Sequence, residues 1–432
     1  MQHRNVVLVD GVRSAFGRGG RGKLVATRLD DAGATVLRTL LDRNPKVRDH
    51  MVEDVGMGNV AGSGEFTYLG LVPRLAGLPL EVCAFNSNRQ CGSSMETLHR
   101  IALAISAGHM ECGIAMGIER MGRALGREGP KPTRITSPNP RLAELNEVQT
   151  APARDHDAYF SVPFPEYIRK SPWMQSMVQT AQNVAETYDL SRRELDAYSA
   201  ESHVKTHTAY ENGLYKDEII PLEVEEPVFD EQGNWVEDET GPTSVFERDE
   251  CIRPETTAEK LSSLNTIRGT LSWGDKEIVI TPGNSCPTND GITATLLMSE
   301  EKALALGLTP LARIVGMAVG GVKPQLMGIG PVVSSKKALA QANIEAAQID
   351  RVEFNEAFAA QVIPSVRELG IPMEKVNVNG GSLAIGHPLG ATGARLVGTV
   401  AHELRRSGSR YGLATQCIGA GMGISTVLEA LH

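Results

Sequence analysis

The sequence predicts an α/β protein made of two similar halves, with a long segment inserted into the first half. Apolar, β-branched runs alternate with amphipathic helical segments at both ends of the chain, which is typical of strand–helix units. The order of these units in residues 1–119 is repeated in the last third. The length of 432 residues also exceeds what one compact core accommodates.

In the first half, apolar runs predict strands at 5–9, 55–59, 82–86 and 113–117. Helices are expected at 30–41 and 92–107. The second helix places Met95, Leu98 and Ile101 on one face, which a helix buried against a sheet requires.

The last third predicts strands at 312–317, 352–355, 376–379 and 411–415 and a helix at 392–404. A final strand at 424–428 resembles an earlier one at 292–298. We therefore expect an internal duplication with mostly parallel sheets covered by helices, and a cleft at the carboxyl ends of their strands.

The middle of the chain has a different composition. Residues 120–250 are rich in charge and proline, include helices predicted at 176–187 and 191–212, and carry an acidic stretch at 223–239. A long insertion above a cleft is typical of a lid or binding loop.

Composition excludes several classes of function. A net charge of −9 argues against general nucleic-acid binding, and no apolar run is long enough for a membrane span. The amino terminus reads as a strand without a targeting pattern, so a cytoplasmic location is expected. The cysteines form no CxxC pair and no cluster with zinc spacing.

A glycine-rich loop at 17–23 matches part of a phosphate-binding pattern. Leu24, however, stands where Ser or Thr would hold magnesium, and no clear acidic residue follows for a ribose. We interpret the segment as a flexible basic loop.

Two segments at equivalent places in the two halves contain residues able to perform chemistry. Cys91 lies between a strand and a helix start, where backbone N–H groups and the helix dipole favour a thiolate. His387 lies in a glycine-bracketed turn before Pro388, at the matching position of the second half. A Cys/His pair across the cleft would give an activated nucleophile. The alternatives are a buried structural cysteine and a turn histidine.

Two further segments follow strands of the second half. Cys417 stands before a glycine-rich turn whose N–H groups could hold an oxyanion while the thiol moves a proton. Asn355 could hold a water or a carbonyl group. A buried cysteine in a hairpin and a helix N-cap are the alternative interpretations.

Together these segments resemble the thiolase superfamily over essentially the whole chain. The matching blocks are 89–94, 281–284 with 289–291, 355–358, 386–388 and 417–419. The resemblance is nearest to degradative 3-ketoacyl-CoA thiolases, in particular the thiolase subunit of bacterial fatty-acid oxidation complexes. It implies two duplicated mixed-sheet βαβαβαββ halves packed in αβαβα layers. The implied domains are 1–119 with 251–300, an inserted loop domain at 120–250, and 301–432.

The resemblance also implies roles. Cys91 attacks the 3-keto carbon and carries the acyl group, His387 takes its proton, and Cys417 exchanges protons with the departing and incoming groups. His387 and a water held by Asn355 serve one oxyanion, while the N–H groups of Cys91 and Gly419 serve the other. No metal or redox cofactor is implied, and coenzyme A is a co-substrate.

Coenzyme A contacts are implied at the positions that match the family's binding tunnel. This chain departs from the family at Ser176–Val178, Lys260, Cys286 and Met422, which bears on substrate choice. The implied contact residues are Arg253, Leu264, Met177, Ser285, Cys286 and Phe358.

The function expected is thiolysis of 3-ketoacyl-CoA in fatty-acid β-oxidation. The alternatives are a biosynthetic acetoacetyl-CoA thiolase and a catalytically idle acyl-CoA-binding relative. A homodimer or homotetramer is expected, and a hydratase–dehydrogenase partner is possible.

Overall fold

A computed structural model describes residues 3–61, 71–122, 175–233, 235–272 and 276–431. The first part of the predicted insertion, 123–174, lies outside these ranges. Within them, none of the helices has the length and apolar character needed to cross a membrane.

The predicted strands, except the one at 376–379, fall close to their expected positions, and the structure adds strands at 17–18, 219–220, 222–229 and 235–246. In the described ranges the strands are β1 (Val6–Ser14), β2 (Gly17–Arg18), β3 (Asp54–Gly58), β4 (Cys83–Ser87), β5 (Cys112–Arg120), β6 (Ile219–Ile220), β7 (Leu222–Phe229), β8 (Trp235–Phe246), β9 (Asn289–Ser299), β10 (Ala312–Gly321), β11 (Arg351–Phe354), β12 (Tyr411–Ile418) and β13 (Met422–Ala430).

The helices include six that the sequence pattern did not reveal, at 71–75, 258–262, 300–305, 330–342, 359–369 and 382–385. In the same ranges the helices are α1 (Leu29–Arg43), α2 (Leu71–Leu75), α3 (Ser93–Ser106), α4 (Met177–Thr187), α5 (Arg192–Glu211), α6 (Ala258–Ser262), α7 (Glu300–Ala305), α8 (Gly330–Ala342), α9 (Ala359–Leu369), α10 (Ser382–Ile385) and α11 (Leu389–Ser407).

The main sheet confirms the duplication. Its order is β11-β12-β13-β10-β1-β9-β5-β3-β4, so each half places its first strand at the centre and its second strand towards an outer edge. The two first strands, β1 and β10, pair antiparallel and join the halves.

The expectation of mostly parallel pairing is wrong. Parallel pairs occur at the outer edges, β3 with β4 and β5, and β11 with β12. Towards the centre, β9 runs antiparallel to β5 and β1, and β13 antiparallel to β12 and β10. A short connection, such as the turn between β12 and β13, can only join antiparallel neighbours.

The strand predicted at 376–379 is also wrong, because the structure has only an isolated parallel bridge between Val352 and Val376. Asn377 adopts a left-handed φ of 45°. Its side chain accepts a hydrogen bond from Phe354 N–H at 2.8 Å and donates one to Phe354 C=O at 2.9 Å. An amide side chain therefore replaces the backbone pairing that a strand would make.

Helices α3 and α11 form the central layer. They contact each other, and each contacts strands of both halves. Helix α1 covers β1, β5 and β9 on one outer side, and α8 covers β10, β12 and β13 on the other. The predicted layered α/β arrangement is confirmed, and it leaves the two central helices buried from both sides.

The described part of the insertion is attached to both halves. Strand β6 pairs with β1, while α4 and α5 contact α9. Tyr198 and Ser202 of α5 donate hydrogen bonds to Glu356 at 2.8 and 2.7 Å. The acidic stretch forms the β7–β8 hairpin. The domain boundaries stay predictions.

The glycine-rich loop at 17–23 is occupied by the protein itself. The backbone N–H groups of Arg18 and Lys23 donate to the Glu250 carboxylate at 2.7 and 3.1 Å. Gly19 N–H donates to Thr288 C=O at 2.7 Å. An internal carboxylate thus fills the position that a bound phosphate would take in such a loop.

Candidate active site

Cys91 lies in a tight turn between β4 and α3. Gln90 adopts a left-handed φ of 48°, which few residues other than glycine tolerate. The Ser93 hydroxyl stabilises this turn: it donates to Gln90 C=O at 2.6 Å and accepts from Arg89 N–H at 3.0 Å. The turn directs the nucleophile candidate into the protein, immediately before the first turn of the helix.

Two backbone N–H groups, those of Cys91 itself and of Gly419, act on the Cys91 sulfur and lower the pKa of its thiol. Burial has the larger effect and raises the pKa of Cys91 to about 11. Burial therefore outweighs the effect of the backbone N–H groups at the helix start, and Cys91 is a neutral thiol at neutral pH.

The turn that carries Gly419 connects β12 and β13. Ala420 and Gly421 both adopt a left-handed backbone, with φ of 68° and 81°. This conformation closes the hairpin and directs Gly419 N–H at Cys91. A Cβ atom built on Gly419 would lie 3.8 Å from Gln90 and 3.9 Å from the Met177 sulfur, so the amide lies between these side chains.

His387 follows a position that requires glycine. Gly386 has φ 114° and ψ 168°, a conformation restricted to glycine. A Cβ atom there would also lie 2.4 Å from the Asn289 side chain. The Asn289 carbonyl oxygen accepts from His387 N–H at 3.0 Å. The turn thus holds the histidine backbone in one position.

The His387 ring has one tautomer that satisfies its neighbours. Thr392 Oγ donates to Pro388 C=O at 2.8 Å, so it accepts from the ring Nδ1–H at 2.7 Å. Asn355 accepts at Oδ1 from Ser382 Oγ at 2.7 Å, so its Nδ2–H group faces His387 Nε2 at 3.2 Å. Nε2 therefore carries a lone pair and can accept a proton.

The buried guanidinium group of Arg395 completes this series of hydrogen-bonded side chains. Arg395 donates to Ser382 Oγ at 2.9 Å and pairs with Glu353 at 2.6 Å. Burial, with a smaller contribution from Arg395, lowers the pKa of His387 to about 3. The imidazole is therefore neutral in the resting protein. The interpretation of Asn355 as a helix N-cap is wrong, because its side chain contacts His387 and Ser382 instead of capping a helix.

Cys417 is completely buried at the end of β12. Its thiol donates to Gln361 Oε1 at 3.1 Å. Burial raises the pKa of Cys417 well above its usual range, and the thiols of Cys91 and Cys286 raise it further. The structure therefore brings three thiols into one electrostatically coupled cluster.

The Cys91 and His387 turns converge because their helices cross. Ala394 N–H of α11 donates to Ser94 Oγ of α3 at 3.0 Å. A Cβ atom on Gly393 would lie 2.5 Å from Met95 N, so only glycine permits this approach. Buried Glu119 accepts a hydrogen bond from Gly390 N–H at 2.7 Å, and its negative charge raises the pKa of Cys91.

Known families provide an independent comparison. The family description "Thiolase, N-terminal domain" matches residues 6–301, and "Thiolase, C-terminal domain" matches 308–430. The chain belongs to the thiolase family. It is an acyltransferase, and its equivalent Cys91 and His387 turns lie in the two matched domains.

Individual relatives span the whole thiolase chain. The chain is 37% identical over 431 residues to the 3-ketoacyl-CoA thiolase of Vibrio vulnificus. It is 39% identical over 430 residues to the β-ketoadipyl-CoA thiolase of Escherichia coli, and both comparisons cover 99% of each chain. The crystal structure of the Bacillus anthracis acetyl-CoA acetyltransferase covers 100% of both chains, with 33% identity and a TM-score of 0.82.

Four of the coenzyme A contacts predicted for this thiolase, Met177, Ser285, Cys286 and Phe358, lie around the same cluster. Phe358 and Ser285 form a β-bridge, and Cys286 N–H donates to Ala357 C=O at 3.0 Å. Met177, the first residue of α4, is 38% exposed beside Gly419.

Two of the predicted contacts lie farther out. Leu264 is 37% exposed and covers Gly283 of the 281–284 turn. Arg253 is exposed, and its N–H donates to His203 at 3.2 Å. Their roles towards coenzyme A stay predictions.

Several residues that hold the thiolase site were not found from the sequence. Gln416 Nε2 donates to Cys91 C=O and ties the nucleophile to β12. Thr392 could have been found, because it lies one helical turn beyond the His387–Pro388 turn. The others, Ser382, Arg395 and Gln361, act through contacts between distant segments and give no local signal.

Proposed function

We propose that this thiolase cleaves 3-ketoacyl-CoA with coenzyme A to acetyl-CoA and a shortened acyl-CoA, through an acyl thioester on Cys91, in fatty-acid degradation. The observation that carries the proposal is the convergence of the Gly419 and Cys91 N–H groups on the Cys91 sulfur. Fixed donors at that point stabilise the oxyanion that forms when the thiol adds to a carbonyl group.

The pKa shifts constrain the first step. A thiol with a pKa of about 11 does not transfer its proton to an imidazole with a pKa of about 3 before reaction. Proton transfer to His387 Nε2 is therefore coupled to attack on the 3-keto carbon, because the negative charge then forms on oxygen beside the two N–H donors.

The carbon–carbon bond then breaks and leaves the acyl group on Cys91. Cys417 gives its thiol proton to the departing acetyl-CoA carbanion, then takes the proton of the incoming coenzyme A. The coenzyme A thiolate attacks the thioester carbon, the bond from that carbon to the Cys91 sulfur breaks, and the Cys91 thiolate takes its proton back from His387. Asn355 and His387 lie in direct contact and serve the enolate oxygen of acetyl-CoA.

The decisive experiment is incubation with a 3-ketoacyl-CoA in the absence of free coenzyme A, followed by peptide mass spectrometry. We expect an acyl adduct on Cys91 and none in Cys91→Ala. An adduct on Cys286 or Cys417 in the unmodified protein would contradict the assigned roles.

Substrate assays separate this proposal from its alternatives. Medium-chain 3-ketoacyl-CoAs, 3-oxoadipyl-CoA and acetoacetyl-CoA are compared at saturating coenzyme A. Cleavage of acetoacetyl-CoA alone would favour a biosynthetic thiolase, whereas preference for 3-oxoadipyl-CoA would favour the activity named in the Escherichia coli relative. Turnover of none would favour a catalytically idle relative.

The oligomeric state, the partner subunit and the cellular location are also proposals. A homodimer or homotetramer is expected, with a hydratase–dehydrogenase subunit as a further partner, in the cytoplasm and without a metal or redox cofactor. Size-exclusion chromatography with light scattering, alone and with a hydratase–dehydrogenase subunit, tests the two assembly proposals.

A further inference from the structure

Gln361 is the buried polar group in contact with Cys417. It lies in the first turn of α9 and is completely buried. Its Oε1 accepts the Cys417 thiol at 3.1 Å. The contact places an amide, rather than a titratable group, against the thiol that exchanges protons in the proposed function.

The other end of this amide is unsatisfied. Among the described residues, Gln361 Nε2 has no hydrogen-bond partner. A buried donor without a partner is unfavourable, and native proteins rarely keep one without a use for it. The amide is therefore held for its contact with Cys417 at the expense of one donor.

Gly328 makes room for the Gln361 side chain. A Cβ atom at Gly328 would lie 2.4 Å from Gln361 Cγ and 3.1 Å from Nε2. The space beside the amide is thus provided by the absence of a side chain in the turn Pro324–Ile329. The terminal amide turns about its last bond, which is a soft torsion.

Cys417 needs two different partners during the reaction. As a thiol, before it protonates the carbanion, it donates and requires an acceptor. As a thiolate, before it takes the proton of coenzyme A, it accepts and requires a donor. An amide offers both: Oε1 to the thiol, and Nε2–H to the thiolate after half a turn.

We propose that Gln361 is a positioning residue that turns its amide to match the protonation state of Cys417. In the resting protein Oε1 accepts a hydrogen bond from the Cys417 thiol, and after the thiol has lost its proton Nε2–H donates a hydrogen bond to the sulfur. No bond to Gln361 forms or breaks, and the proton moves only between Cys417 and the substrate. The inference rests on the proposed role of Cys417.

The test measures the Cys417 thiolate without turnover. In a Cys91→Ser background, the rate of Cys417 alkylation by iodoacetamide is followed by peptide mass spectrometry from neutral to alkaline pH. The thiols of Cys91 and Cys286 also act on Cys417, so every variant keeps Cys286 and the same background. The midpoint reports the thiolate, whereas the plateau rate reports access.

Gln361→Met keeps the length of the side chain and removes the donor. We expect the alkylation midpoint to rise by about one pH unit, because a hydrogen bond to the charged form is lost. Gln361→Glu keeps the shape and adds a negative charge, so its midpoint should rise further. This second variant also serves if the Met variant does not fold.

The matched control is Gln182→Met. Gln182 is a completely buried glutamine that donates to Glu277 C=O at 3.0 Å and accepts from Val279 N–H at 3.0 Å. Its loss should leave the Cys417 midpoint unchanged. An unchanged midpoint in Gln361→Met, a lowered one in Gln361→Glu, or an equal shift in Gln182→Met would overturn the inference.

Failure of the inference and failure of the proposed function are separable. The alkylation midpoint requires no substrate, whereas the acyl adduct on Cys91 requires no change at Gln361. A shifted midpoint with no adduct would leave the amide's effect on Cys417 intact and refute the thiolysis. An acyl adduct on Cys91 together with unshifted alkylation midpoints would support the thiolysis and refute the role proposed for Gln361.

Discussion

The Cys91 and His387 turns occupy equivalent places in the two halves, yet the protein holds their side chains by different means. The Cys91 sulfur is influenced by the backbone N–H groups of its own residue and of Gly419. The His387 ring is held by the side chains of Thr392 and Asn355. Backbone donors suit a sulfur that becomes a thioester, whereas side-chain partners fix one tautomer of a ring that returns to its starting state.

The largest loss of activity is expected from a substitution that removes the side-chain support of the His387 ring. Thr392→Val keeps the shape of the residue but removes the acceptor for Nδ1–H, so the ring can adopt the wrong tautomer. We expect kcat to fall about 100-fold or more, with KM for coenzyme A nearly unchanged. Steady-state thiolysis kinetics measure both constants.

Thr399→Val is the control for this change, because it removes a buried hydroxyl from the same helix. Thr399 donates to Glu218 at 2.8 Å, away from the ring. Its kcat should stay near that of the unmodified protein. Equal losses in the two variants would mean that the hydroxyl of Thr392 supports the helix and not the tautomer.

Sequence reasoning found the two turns but not what holds them. Strand ends, helix starts and glycine brackets are local patterns, so Cys91, His387 and the duplicated order of elements could be predicted. Arg395, 40 residues from Asn355, reaches it through Ser382, and only the fold brings these side chains together. Burial that raises the Cys91 pKa arises from the whole protein and overrides the local effect of the helix start.

The next effect concerns the backbone of the His387 turn. Gly386→Ala forces a side chain into a conformation restricted to glycine and against Asn289. We expect the free energy of unfolding to fall by about 1–3 kcal/mol from backbone strain, with a loss of activity. Urea unfolding measures the change. An alanine variant as stable as the parent would show that the turn relaxes without cost.

The two turns should lose stability at opposite ends of the pH scale. The folded pKa of His387, about 3, lies below its ordinary 6.5, so only the unfolded chain gains this proton as pH falls below 6.5, and stability falls. The folded pKa of Cys91, about 11, lies above its ordinary 9.0, so only the unfolded chain loses this proton as pH rises above 9.0.

Single variants isolate these contributions. His387→Gln should reduce the acid-side slope of unfolding free energy against pH, and Cys91→Ser the alkaline-side slope, each by up to about 1.4 kcal/mol per pH unit. Buried His99 and His203, with pKa lowered to about 4, also act on the acid side, so only differences between proteins are interpreted. Unchanged slopes would mean that both groups titrate normally.

The smallest effect is expected at the backbone support of Cys91. Gly419→Ala keeps the N–H donor, and its Cβ atom would meet Gln90 and Met177 at the ordinary contact distances of 3.8 and 3.9 Å. We expect kcat to change by no more than about three-fold, as for other substitutions without a clash. A backbone donor is insensitive to its own side chain, unlike the Thr392 hydroxyl. A loss as large as that of Thr392→Val would show that Gly419 is needed for space beside the sulfur, and the contrast between the two turns would fail.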